Sequence, residues 1–174
     1  MKRLFILLSF FALMGLNCQA QIQNKIYDFV LGQTTKNEVK NYFISRPDIK
    51  IYEDSANDVI NASDMKFGGF FWDFAHFEFY KGVLEQVMFT TSSQDGQTSK
   101  SEIKSNWETL KTSLTKKYSS YKVDNLSVDK KITFSDGKTF VLLNMYEENG
   151  RNLLLQYGDV DLTIEKDEGE ENEL

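Results

Sequence analysis

The chain has 174 residues, of which 41% are hydrophobic, 26% charged and 14% aromatic; this suits one ordinary domain or two small repeats and excludes a large multidomain machine and global disorder. Its 26 acidic against 20 basic residues give a net charge of −6, a poor match to nucleic acid or to an anionic membrane surface. A single histidine and a single cysteine exclude a histidine-rich metal site and a disulfide framework.

Lys2 and Arg3 precede an apolar run from Leu4 to Leu16, and Cys18-Gln19-Ala20 places small residues at the −3 and −1 positions of a cleavage site. A secretory signal peptide over residues 1–20 is therefore expected, with the mature chain beginning at Gln21 and located in the periplasm or outside the cell. No later stretch approaches about 18 apolar residues, so no transmembrane helix is expected. Lipidation of Cys18, which would make an outer-membrane lipoprotein, is the rival reading, but Asn17 beside the cysteine departs from the Leu-x-small-Cys pattern. Losing Lys2 and Arg3 takes the basic count from 20 to 18 and the charge to −8.

A first helix-plus-meander repeat is expected over residues 21–92. Thr35-Lys36-Asn37-Glu38 reads as a capping box, and the helix it opens turns Val39, Tyr42 and Phe43 inward and stops before Arg46-Pro47. Strands follow at Ile49 to Tyr52, Phe70 to Tyr80 and Val83 to Thr91, with Lys81-Gly82 as a turn; Glu53 to Asp64, rich in Asp, Asn and Ser, reads as a loop. A linker over 93–98 leads to a second repeat over 99–164. Its helix starts at a second box, Ser99-Lys100-Ser101-Glu102, and carries Ile103, Trp107, Leu110, Leu114 and Tyr118 on one apolar stripe. Strands are expected at Tyr121 to Asp124, Lys131 to Phe134, Lys138 to Tyr146 and Arg151 to Tyr157, with Asp136-Gly137 and Asn149-Gly150 as hairpin turns. Residues 165–174, with six acids against Lys166 alone, read as a disordered, solubilising tail.

The halves match in spacing: Thr35 and Ser99 are 64 apart, and Gly82 and Gly150 are 68 apart. The fold class expected is α+β, made of two tandem helix-plus-antiparallel-sheet repeats with helices on one face of the sheet or sheets. The segment Tyr27-Asp28-Phe29-Val30-Leu31-Gly32-Gln33-Thr34-Thr35-Lys36-Asn37-Glu38-Val39 resembles the Gly-x-Thr-x-x-x-Val helix entry of the SmpA/OmlA outer-membrane assembly lipoproteins, with one residue more before the valine, and the tandem plan is similar to the beta-lactamase inhibitor protein fold. The chain departs from the lipoproteins at Ile44-Ser45-Arg46-Pro47, where a Leu-Gly-x-Pro exit would stand. These resemblances imply non-catalytic binding through an exposed sheet face.

Alternation along Phe70 to Tyr80 divides that strand. Trp72, Phe74, His76, Glu78 and Tyr80 form the candidate partner-binding set, since large aromatics mixed with polar groups suit recognition by a few rigid anchors. Phe71, Ala75, Phe77 and Phe79 should lie under the helix; Asp73 fits that set badly, and a bulge near Gly68-Gly69 would shift it. The reading is a binding or inhibitor-like module for a protein or glycan of the cell envelope, with no cofactor and no metal. One alternative is a hydrolase using Asp73, Glu78 or Glu85, with His76; another is an envelope-assembly scaffold. Glu78 would face Glu85 across a two-residue Lys81-Gly82 turn and need a raised pKa or an intervening cation; a longer turn that keeps the two apart is the preferred reading. Asp54, Asp58 and Asp64 miss the spacing of a calcium loop.

Overall fold

The computed structural model describes residues 21–54, 56–94, 98–123, 130–148 and 150–171. The signal-peptide expectation, Cys18 and the last three residues lie outside them. Among the described residues no helix is long and apolar enough to cross a membrane.

The chain opens with a small hairpin that the sequence reading did not contain, β1 (Lys25–Ile26) and β2 (Phe29–Val30). Tyr27 takes a positive φ of 55° in its turn, and the hairpin drives Ile26 and Phe29 into the core. Helix α1 (Lys36–Ile44) follows, with both halves of the Thr35/Glu38 capping box formed. Val39 and Phe43 are buried and Tyr42 packs against the core, as the periodicity predicts.

Strands β3 (Ile51–Asp54), β4 (Val59–Phe67), β5 (Phe70–Tyr80) and β6 (Val83–Ser92) come next. Strand β3 takes the first two residues of the loop expected from Glu53 to Asp64, and β4 replaces its second half. Its Asn61 and Ser63 face away from the core while Ile60 and Ala62 are buried between them, so its polar content is the solvated half of a one-sided strand. Gly68-Gly69 is the β4–β5 turn rather than a bulge: φ is 62° and 86°, and Phe67 pairs with Phe70, the geometry of a type I′ hairpin.

Helix α2 (Lys100–Tyr118) buries all five stripe residues. Ser99 accepts a hydrogen bond from the Glu102 amide. A 3-10 turn over Ser119–Tyr121 and a single bridge from Lys122 to Phe134 stand where a strand from Tyr121 to Asp124 was expected; Asp124 lies outside the described residues. Strands β7 (Lys131–Ser135), β8 (Thr139–Glu147) and β9 (Arg151–Asp159) and helix α3 (Val160–Glu171) complete the fold. The β7–β8 connection has three residues, not two, because the Asp136 carboxylate accepts the Lys138 and Thr139 amides and rounds the turn.

The seven longer strands form one antiparallel sheet, ordered β3-β4-β5-β6-β9-β8-β7. A single cross-strand row, Ile60, Phe77, Val87, Tyr157, Val141 and Phe134, lines its inner face. Phe43 of α1 meets Phe77 with ring centroids 5.3 Å apart, and Tyr118 of α2 meets Phe134 at 6.0 Å. Both helices therefore cover the same face. Helix α3 does not: it contacts Glu78, Tyr80 and Glu85 from the other side, a correction both to helices on one face only and to a disordered segment from residue 165.

Candidate functional site

The alternation that assigned β5's faces changes phase in mid-strand. Trp72 is 1% exposed and Phe71 65%, the reverse of the sequence expectation, whereas Ala75, Phe77 and Phe79 are buried as expected. On β4 the buried residues likewise pass from Ala62 to Met65, with Asp64 at φ 58° between them. Both strands change phase at the same height, since Ser63 pairs with Phe74 and Met65 with Trp72. The device is Asp73. Its Oδ2 accepts the Ser92 amide at 2.8 Å and the Thr91 hydroxyl at 2.9 Å, so a side chain takes over the β6 ladder where backbone pairing stops at Phe74–Thr90. Trp72 is thereby turned inward, where Nε1–H donates to the Phe67 carbonyl at 3.1 Å.

The outer face of the sheet thus carries four of the five residues expected there, Phe74, His76, Glu78 and Tyr80, without Trp72. Phe74 is 43% exposed and the other three are half-buried. Cross-strand pairing extends the surface through Met88, Gln156 and Leu142 and, one step along, Thr90, Leu154 and Asn144. Tyr146, 37% exposed, is the second prominent ring of this face. Phe74 and Tyr146 border a recess of about 170 Å3 whose lining includes Asp73, Thr90, Ser92 and Asn152. Sequence reading missed Tyr146, although alternation along β8 carries the signal, because β8 was not placed in the same sheet as β5.

His76 sits mid-face. Its Nδ1 meets Asn61 Oδ1 on β4, and Nε2 lies 3.4 Å from the Thr90 hydroxyl. Burial pushes the imidazole below its ordinary range, with Glu78 pulling the other way. The unfolded chain therefore takes up the proton first as pH falls: the stabilisation from this group is complete above its ordinary value of about 6.5 and is lost as pH drops through the folded value. An NMR titration of the folded protein should give a His76 pKa below 6.5; a value at or above it would mean that the ring is solvated.

At the opposite end of the face, α3 covers the acids. Lys81-Gly82 is a two-residue turn, since Tyr80 pairs with Val83, but a bulge then puts Gln86 rather than Glu85 opposite Glu78. Glu85 is 1% exposed and is held from α3 by Lys166 at 3.1 Å and Thr163 at 3.2 Å; Lys166 also lies 3.7 Å from Glu78. The expected longer turn is corrected to two residues, while the bulge still keeps the acids from pairing directly across the strands, and Lys166 lies within reach of both. Lys81 pairs with Glu165 on the helix, and a cleft of about 480 Å3 lies alongside, with Asn57, Asp58, Glu78, Tyr80, Lys81 and Lys166 among its lining residues. Glu78 further accepts from Gln86 at 2.6 Å. These acids fasten the helix. Among the described residues no group of three or more His, Cys, Asp or Glu could hold a metal ion.

Where β9 runs into α3, Gly158 pairs with Phe140 on the outer face, and a Cβ at 158 would overlap the Phe140 ring. Gly158→Ala should therefore cost about 1–3 kcal/mol in urea unfolding through overpacking. An unchanged midpoint would mean that the ring is not seated there.

Comparison with protein-family models, curated proteins and solved structures found no match for the chain.

Proposed function

We propose that this protein is a non-catalytic binding module, secreted or periplasmic, that recognises a protein or glycan of the cell envelope through the outer face of its sheet. The observation that carries the reading is the pair of exposed rings, Phe74 and Tyr146, on the outer face away from the end taken by α3. Exposed aromatics held on rigid strands are economical anchors, because they lose little rotamer entropy on binding. The acids that hydrolysis would need are engaged in the fold: Glu85 is buried against Lys166 and Thr163, and Asp73 Oδ2 terminates a strand pairing.

We also read the two halves as tandem repeats. What supports this is the matched spacing of caps and hairpins, and the way the last strands of the halves, β6 and β9, meet at the centre of the sheet.

The double variant Phe74→Ala/Tyr146→Ala tests the reading in a pull-down of the mature protein from its own envelope fraction. It should unfold within about 1 kcal/mol of the parent, as half-exposed side chains allow, while losing the captured partner. Undiminished capture would overturn the assignment of this face.

A further inference from the structure

We propose that the recess between Phe74 and Tyr146 is a saccharide subsite that takes one neutral pyranose ring; this rests on the outer-face reading and names its ligand class. Three features carry it. First, Asp73 is a preset acceptor: two donors fix Oδ2, while Oδ1 has no hydrogen-bond partner among the described residues, so one carboxylate oxygen is held in place with its lone pairs open. Sugar hydroxyls are suitable donors to such a group. Second, the remaining polar residues of the described lining are neutral. Asn152 Nδ2 donates to the Glu148 carbonyl at 2.9 Å, which leaves its Oδ1 as an acceptor, and the lining includes the hydroxyl-bearing residues Tyr146 and Thr90, the latter with its hydroxyl 3.4 Å from His76 Nε2. This is a mixture of donors and acceptors that matches alternating ring hydroxyls. Third, two exposed rings border the recess, and the negative face of an aromatic ring attracts the polarised C–H groups of a pyranose.

Charge and size narrow the choice further. Among the described lining residues Asp73 is the only Asp or Glu, and none is Lys or Arg, so phosphates and sugar acids are disfavoured. A volume of about 170 Å3 is well below that of a drug-sized pocket. The site exists because of the change of strand phase: a regular β5–β6 ladder would have left Asp73 with no reason to turn to Ser92.

The test is an amide NMR titration of the mature protein with the methyl glycosides of glucose, galactose, mannose and N-acetylglucosamine, one at a time. At least one should move the Thr90, Ser92 and Asn152 amides saturably, with the millimolar affinity usual for a single small ligand in a shallow site. Asp73→Asn keeps an oxygen for the Ser92 amide but removes the charge, and should weaken that binding about tenfold or more; Tyr146→Phe, which keeps the ring, should weaken it by a smaller factor. If Asp73→Asn fails to fold, Tyr146→Phe decides alone. No saturable shift with any of the four glycosides, or a shift that both variants leave unchanged, overturns the proposal. The two readings fail separately: undiminished capture by Phe74→Ala/Tyr146→Ala overturns the outer face, whereas if no glycoside binds but that variant abolishes capture of a protein partner, the face stands and the saccharide does not.

Discussion

Trp107→Ala should destabilise the protein by about 3–5 kcal/mol, the usual cost of removing a large aromatic from a packed core. Trp107 is 3% exposed and lies on the α2 stripe with Ile103, Leu110 and Leu114. That stripe packs on β8 and β9, whose inward residues Leu143, Leu153 and Leu155 are themselves buried. A residue at the centre of this contact has no solvent to fill the space it vacates, and a nineteen-residue helix cannot settle into it without losing its other contacts. Urea unfolding should show a lower midpoint with an unchanged slope. A loss below about 1 kcal/mol would mean that α2 is not packed in this way.

The second large effect is electrostatic. Lys166→Ala leaves the Glu85 carboxylate buried with the Thr163 hydroxyl as its remaining partner across the α3 contact. Breaking a buried pair from one side costs about 3–5 kcal/mol; because the Lys166 side chain is 27% exposed, about 2–3 kcal/mol is expected, discounted for solvent screening. The chain can limit the loss by undocking α3 and hydrating Glu85. Among residues 160–169 of α3 none belongs to the buried core, so undocking forfeits mainly polar contacts. Circular dichroism should then lose helical signal ahead of the main transition. Adding Glu85→Gln to Lys166→Ala should recover about 1 kcal/mol or more, because a neutral amide is cheaper to leave unpaired than a charge. A variant within about 0.5 kcal/mol of the parent, or a double variant no better than the single, would show that the ion pair does not hold the helix.

Helices α1 and α2 were legible in the sequence, because capping residues and 3.6-residue periodicity are local signals and nothing distant overrode them. Position 72 was not. Strand alternation assigns faces only while the pleat is regular, and the Asp73 carboxylate breaks it through Thr91 and Ser92, eighteen and nineteen residues away; the poor fit of Asp73 to the inner set was the visible trace. Strand β4 was hidden by its own solvated side, where Asn61 serves His76 and Ser63 pairs with Phe74. The acidic end was read from charge alone, yet Lys166, the one cation of that run, joins Thr163 in tying α3 to Glu85. Of the expected surface, Phe74 and His76 survive as its open part, Glu78 and Tyr80 as the end that α3 takes, and Tyr146 enters only once β8 and β5 share a sheet.

The account depends most directly on the outer face being open in the isolated molecule. Hydroxyl-radical footprinting of the protein, read by peptide mass spectrometry, compares aromatic rings within a single sample. Phe71, Phe74 and Tyr146 should be oxidised rapidly while Trp72 and Trp107 stay protected, despite the higher intrinsic reactivity of tryptophan. Oxidation of Trp72 with protection of Phe74 and Tyr146 would reverse the two faces of β5 and contradict the proposed recognition surface.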